Sequence, residues 1–154
     1  MAIETERKFL VKNSSWKVPG IKGVFLKQGY LKNEVESVVR VRIAGETGYI
    51  TVKGTTINAS RLEFEYRIPV EDAEEMLEKI CCKPLIEKIR YTIWFKGFEW
   101  VIDEFLRQNK GLVIAEIELD SRKQVFEYPE WIGKEVTDDP GYFNSNLIVN
   151  PKPC

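Results

Sequence analysis

The 154-residue chain contains no histidine, and that absence removes a large share of enzyme chemistry. Without imidazole there is no Ser-His-Asp triad, no histidine general base and no imidazole metal ligand, so any catalysis falls to carboxylates, lysine, arginine, tyrosine or a bound metal. Cysteine is scarce. Cys81, Cys82 and Cys154 form an odd set, an adjacent pair and a terminal residue, which matches neither a disulfide framework nor a zinc spacing; reduced thiols are the expectation. Long apolar runs are missing too, with no stretch approaching the roughly 18 residues of a membrane span. The N-terminus carries acid where a secretion signal would carry basic residues and an apolar run. A soluble, cytoplasmic protein without a membrane partner follows as the expectation. Charge of one sign is also lacking: 23 Lys and Arg stand against 24 Asp and Glu, a formal net charge of -1. A generic nucleic-acid binder would carry a basic excess, so no nucleic-acid partner is expected. With no internal repeat, low-complexity stretch or linker, residues 1–154 read as one domain long enough to bury a core.

What is present is a series of short strands, each with one charged face. In an extended chain successive side chains point to opposite sides, so in residues 3–11 Glu4, Glu6 and Lys8 share a face. Neighbours on that face are about 7 Å apart, close enough for two carboxylates to converge on one cation. After a turn-rich link with Trp16 as packing anchor, residues 24–31 place Leu26, Gln28 and Tyr30 together. In residues 37–43, Arg40 and Arg42 alternate with Val39, Val41 and Ile43. Residues 49–54, the expected hairpin partner, set Thr51 and Lys53 against Ile50 and Val52. Residues 61–68 set Arg61, Glu63, Glu65 and Arg67 against Leu62, Phe64, Tyr66 and Ile68. Pro69 ends that run, and the period changes to 3.6: Val70, Ala73, Leu77 and Ile80 form the apolar stripe of a helix predicted over 70–81, with acid in its first turn and Lys79 in its last. Strands resume over 85–95, with Lys88 and Arg90 on one face; over 99–106, with Glu99, Val101, Asp103 and Phe105; and over 112–119, with Glu116 and Glu118. A short helical segment to about residue 127 and a turn-containing segment over 134–147 complete the reading.

Repeated mid-strand charge does not suit a sandwich, whose inner faces are apolar and whose outer polar residues meet diffuse solvent. The pattern predicts an α+β protein built on an eight-stranded antiparallel β-barrel, a tunnel with a polar, charged lumen and helices packed outside. Its lumen would hold Lys8, Arg40, Arg42, Lys53, Lys88 and Arg90 facing Glu4, Glu6, Glu63, Asp103, Glu116 and Glu118. Like charges 4 Å apart cost about 4 kcal/mol at an effective dielectric near 20, so the two sets need segregation. A polyanion with a divalent metal supplies it, the cations holding phosphate oxygens and the carboxylates the metal. The other reading of these charges is a solvated sheet face laced with salt bridges.

The opening Glu4-x-Glu6-x-Lys8 resembles the signature of the CYTH, or triphosphate tunnel metalloenzyme, superfamily. The likeness continues through Arg40-x-Arg42, Lys53, Arg61-x-Glu63-x-Glu65, Lys88-x-Arg90, Asp103-x-Phe105, Glu116-x-Glu118, Trp131, Glu135-Val136-Thr137 and Tyr142-x-Asn144-x-x-Leu147. It implies a tunnel that binds triphosphate and hydrolyses it with Mg²⁺ or Mn²⁺. It further implies Lys8, Arg40, Arg42, Lys53 and Arg90 as the phosphate grip, and Glu4, Glu6, Asp103, Glu116 and Glu118, joined by Glu63, as the metal carboxylates. Lys88 matches the position proposed in short bacterial members as the base that activates water, with metal activation of the water as the alternative, and it also counts among the substrate-binding cations. Lys8 stands with it among the catalytic candidates.

Class IV adenylyl cyclases of the superfamily carry a His-Phe pair upstream of the acidic signature. This chain has neither the pair nor any histidine, which counts against cyclase activity. Its compact length counts against the larger members that act on RNA ends. The expected substrate is therefore inorganic tripolyphosphate, with a nucleoside or thiamine triphosphate as the alternative. A non-catalytic polyphosphate- or organophosphate-binding protein is the competing class. A homodimer is a family-level expectation, and Tyr30, Gln28 and Glu65 are inward-facing residues without an assigned role.

Overall fold

The computed structural model describes residues 3–143; Asn144, Leu147 and Cys154 lie outside the described residues. Among the described residues nine strands form: β1 (Ile3–Val11), β2 (Val24–Asn33), β3 (Ser37–Ala44), β4 (Thr47–Gly54), β5 (Ser60–Ile68), β6 (Ile86–Phe95), β7 (Phe98–Phe105), β8 (Val113–Glu118) and β9 (Ile132–Glu135). The first eight close into an antiparallel barrel in the order β5-β4-β3-β2-β6-β7-β8-β1, completed by a β1–β5 pairing at Ile3↔Leu62, Glu4↔Arg61 and Thr5↔Ser60. β9 adds to the other end of β1. Hairpins join β3 to β4 and β6 to β7, each turning through a left-handed glycine, Gly45 and Gly97, a conformation that costs glycine little.

The helix α1 (Val70–Lys79) follows Pro69 at its N-cap, with Glu71 and Asp72 in its first turn. Buried Ala73 and Leu77 pack it on the outside of the barrel beside Val41 and Cys81. It approaches closely because β2 and β4 present glycine there. A Cβ at Gly29 would lie 2.6 Å from Leu85 Cδ2, and one at Gly48 3.0 Å from the Cβ of Ala73. The helix ends short of the predicted residue 81, where the amides of Ile80 and Cys81 both donate to Met76 O and Ile80 turns into solvent.

A second outer core covers β1, β6, β7 and β8: Phe9, Trp100, Ile102, Ala115 and Ile117 are buried under Trp16, Leu119 and Trp131. The covering chain is not helical. Residues 121–131 run as turns and irregular backbone, because Phe126 must reach the edges of Phe9 and Trp100 while Tyr128 stacks on it at 5.1 Å, and one helical face cannot deliver both. The predicted segments over 121–127 and the start of 134–147 are thus replaced by this strap, by β9 and by a 3-10 turn at Pro140–Tyr142. Only one α-helix covers the barrel among the described residues. The outer row Leu62, Phe64 and Tyr66 of β5 stays exposed.

Cys81 is a buried free thiol. Cys82 is disulfide-bonded, so the expectation of reduced thiols holds for Cys81 and not for Cys82. No helix among the described residues is long and apolar enough to cross a membrane.

Candidate active site

Strand parity and register build the interior. On β1, Glu4, Glu6 and Lys8 face inward, with Lys8 opposite Glu116 and Glu6 opposite Glu118 of β8. Across the other strands the inward pairs are Gln28↔Arg42, Tyr30↔Arg40, Arg40↔Thr51, Lys53↔Glu63, Thr51↔Glu65 and Arg90↔Asp103. The lumen is not charged throughout. Tyr30, Ile86, Phe105 and Ile114 share the inner faces of Gln28, Lys88, Asp103 and Glu116 and pack into an apolar layer with Val38 and Leu112. Above it lies a cavity of about 460 Å³ lined by Glu4, Glu6, Lys8, Arg40, Arg42, Lys53, Glu63, Arg90, Glu116 and Glu118, each of them a residue the charged-face pattern picks out. Lys88 and Asp103, the other two, are fully buried and do not line it.

The ion pairs divide the charges. Lys53 Nζ lies 2.8 Å from Glu63 and 3.3 Å from Glu4, and Arg61 Nε lies 3.2 Å from Glu4. Burial alone would raise the Glu4 pKa, but Lys53 and Arg61 outweigh it and hold the carboxyl at about 2. Lys8 Nζ sits 3.4 Å from Glu116 and 3.8 Å from Glu6. Lys8 serves Glu116 first, so Glu6, buried beside Glu116, is pushed up to about 8. Glu118 is raised as well, by burial and by Glu4 and Glu63. Asp103 accepts from Arg90 Nε and Nη2, both at 2.8 Å, and lies 2.7 Å from Lys88 Nζ. Burial opposes its ionisation, yet the two cations hold its carboxyl far below the usual range.

The opposite wall is basic. Arg40 Nη2 reaches Thr51 Oγ1 at 3.2 Å and Glu65 Oε2 at 3.5 Å, and its Nε is buried without a hydrogen-bond partner among the described residues. Arg42 is depressed to about 9 by burial and by Arg40 and Arg90. Buried guanidinium donors left over beside other cations need an anion from outside.

A divalent metal fits the carboxylate side. Glu6, Glu116 and Glu118 supply hard oxygen donors suited to Mg²⁺ or Mn²⁺, and the raised values of Glu6 and Glu118 show that the neighbouring lysines do not offset the burial and like charge opposing their ionisation, which a bound cation would do. Among the described residues no three potential ligands already converge on one point; Glu6, Glu116 and Glu118 are the carboxylates that would hold an ion here.

Tyr30, Val38, Arg61, Glu65, Glu99, Val101 and Phe143 also line the cavity. Arg61, Glu65 and Glu99 sit in phase with predicted residues, and that phase is the signal that finds them. Phe143 follows the last 3-10 turn and places its ring 5.6 Å from Lys8 Nζ; no periodicity marks it.

The closed barrel thus encloses a cavity lined by cations and carboxylates, most of them ion-paired with one another. The chain belongs to the CYTH domain family, whose model matches residues 2–147. It is 54% identical over 151 residues to an inorganic triphosphatase of Acetivibrio thermocellus, with 98% of this chain and 96% of that protein covered. It is 33% identical to an inorganic triphosphatase of Nitrosomonas europaea, with 96% and 97% covered. A solved inorganic triphosphatase structure superposes with a TM-score of 0.69 at 32% identity, covering 100% of this chain and 99% of that one. A structure from Pyrococcus furiosus, at 21% identity and a TM-score of 0.57 over 77% of this chain and 79% of its own, shares the fold.

Proposed function

We propose that this protein is a divalent-metal-dependent hydrolase of inorganic tripolyphosphate. The observation that carries the reading is Arg42, a cation of the tunnel wall with no carboxylate partner among the described residues, set between Arg40 and Arg90 and across from Glu6 and Glu116. Its neighbours Arg40, Arg90, Lys53 and Lys8 extend the grip, so a phosphate chain replaces the missing counter-charge along one wall. Guanidinium forks match phosphate oxygens two at a time, and lysine adds point charge.

Glu6, Glu116 and Glu118 are the proposed metal carboxylates, with Glu4 and Glu63 beside them; Asp103, engaged by Lys88 and Arg90, is their anchor rather than a ligand. When bound there, a divalent ion neutralises charge on the transferring phosphoryl group and makes water more acidic. Lys8, paired with Glu116, sits between the grip and the carboxylates, where it meets a phosphate oxygen. Water attacks a terminal phosphorus, the P–O–P bond breaks, and the oxygen of that bond leaves with the shortened chain. The proposed acceptor of the water's proton is Lys88, which in the ligand-free protein lies below the lining with its Nζ 2.7 Å from Asp103 and so takes this role only by swinging into the lumen when substrate binds, since catalytic contacts can tighten on substrate binding. Burial, with Arg90 and Arg42 nearby, lowers its pKa to about 7 against the pull of Asp103, so a share is neutral near neutral pH, as a base must be.

Inorganic substrate is favoured over a nucleoside or thiamine triphosphate because the lining is charged nearly throughout, with Tyr30, Val38, Val101 and Phe143 its only uncharged members among the described residues. Phe143, at Lys8, is the surface that would favour an organic ring. Phosphate release from tripolyphosphate, ATP, thiamine triphosphate and pyrophosphate, each with Mg²⁺ or Mn²⁺, tests the choice. Tripolyphosphate is expected to be hydrolysed fastest; preference for a nucleotide, abolished by Phe143→Ala, would transfer the assignment to the organic triphosphates. For the homodimer, the exposed row Leu62, Phe64 and Tyr66 is the face a second copy would cover. Phe64→Glu is expected to shift a dimer to monomer in light scattering, and an unchanged dimer would place the interface elsewhere.

A further inference from the structure

Every lumen cation but one has a carboxylate within ion-pair distance among the described residues. Lys8 has Glu116, Lys53 has Glu63, Arg40 has Glu65, Arg61 has Glu4, and Lys88 and Arg90 share Asp103. Arg42 is held by a neutral group instead. Its Nε donates to Oε1 of Gln28 at 3.1 Å, and Gln28 Nε2 donates to Tyr30 Oη at 3.1 Å. Arginine has only donors, so the amide oxygen must face Arg42, and the amide nitrogen then falls to the tyrosine; the two contacts fix the amide plane together. Gln28 is fully buried, lies directly across the β2–β3 ladder from Arg42, and does not line the cavity. It can therefore act on a ligand only through its neighbours.

A carboxylate at this position would make the same hydrogen bond to Nε while cancelling the charge. A shorter or apolar side chain would leave the charge and lose the orientation. Glutamine alone among residues of this length supplies the acceptor without the charge, and its second end anchors on Tyr30.

We propose that Gln28 is a positioning residue that orients Arg42 while leaving its charge uncompensated, and so sets the affinity of the tunnel for the phosphate chain. The inference rests on the reading of the tunnel as a polyphosphate site. It separates two properties that an ion pair would link: a rigid guanidinium and a charged one.

The test is calorimetric binding of tripolyphosphate in EDTA, where turnover is suppressed, together with kcat and KM in Mn²⁺ and thermal unfolding of the ligand-free protein, for wild type, Gln28→Glu and Gln28→Met. Gln28→Glu is expected to weaken binding and raise KM by on the order of tenfold or more, with kcat changed far less and ligand-free stability held or raised by the new pair with Arg42. Gln28→Met keeps the volume and the charge of Arg42 and loses the acceptor; it is expected to weaken binding less than Gln28→Glu does. A purely structural role would lower the ligand-free melting temperature in both variants and leave KM in place. Binding by Gln28→Glu as tight as wild type would overturn the proposal, and if that variant does not fold, unchanged binding by Gln28→Met would do so. Wild type that neither binds nor hydrolyses tripolyphosphate would defeat the functional reading itself, and this inference with it.

Discussion

Lys88 Nζ lies 2.7 Å from Asp103 Oδ2, and both side chains are sealed from solvent beneath the tunnel. The other oxygen of Asp103 takes Arg90 Nε at 2.8 Å, so one carboxylate serves two cations. Removing that carboxylate strands both. Breaking a buried pair from one side costs about 3–5 kcal/mol, and Asp103→Asn is expected to lower the unfolding free energy by that amount in urea titrations. A loss no larger than the ~0.5 kcal/mol of a surface substitution would mean that Asp103 does not anchor the pair.

The same pair separates charge from proton transfer. Lys88→Arg keeps a cation beside Asp103 but removes a group able to become neutral at working pH, since arginine stays protonated. Turnover of tripolyphosphate is expected to fall about 100-fold or more, the usual worth of a positioned base, while calorimetric affinity for tripolyphosphate in EDTA stays near wild type. If Lys88→Arg turns over at close to the wild-type rate, water is activated without Lys88.

Glu6 stands beside Glu116 with its share of Lys8 already taken, and it is pushed up to about 8. Metal-free protein at neutral pH therefore holds it largely neutral, and Gln is a close substitute in that state. Glu6→Gln is expected to be at least as stable as wild type in EDTA by thermal unfolding, and to lose the upward shift that Mn²⁺ produces in wild type, about 2.7 kcal/mol at 100 times Kd. An equal Mn²⁺ shift in the variant would take Glu6 out of the metal site.

β9 is clasped to β1 by Arg7, which donates to Glu135 from Nε at 2.8 Å and Nη2 at 2.6 Å. The bonds from Arg7 lower the Glu135 pKa below its ordinary value of 4.5. A depressed acid contributes stability that is present above its unfolded value and lost as pH falls through the folded one. Because the pair is partly exposed, that contribution is about 1 kcal/mol or less. Wild type should exceed Glu135→Gln in urea stability at pH 7, and the two curves should converge in acid. A gap that persists in acid would show that the clasp does not depend on ionised Glu135.

Legibility in the sequence followed the period. Strands of period two, each with mid-strand charge, disclosed the barrel and its inward residues, because one buried lumen forces every strand into the same phase; ten of the twelve predicted site residues line the cavity. Phase alone does not reveal depth. Lys88 and Asp103 share inner faces with Arg90 and Val101, yet they sink below the lining where Phe105 and Ile86 narrow the interior. Nor does it reveal aperiodic chain: the strap over 121–131 is held by aromatic contacts to Phe9 and Trp100, and Phe143 reaches Lys8 from a 3-10 turn. The apolar layer around Tyr30 was present as single residues on charged faces, Ile86, Phe105 and Ile114, and only their assembly from four strands makes it a layer.

The most direct test of the tunnel as a metal-dependent triphosphatase is the rate of phosphate release from tripolyphosphate by purified protein, in Mn²⁺ and in EDTA, for wild type, Lys8→Ala and Glu116→Gln. The account predicts release by wild type in Mn²⁺, none in EDTA, and a loss of about 100-fold or more in each variant, as for removal of a preorganised charge from an active site. Release that continues in EDTA, or variants that match wild type, would contradict it.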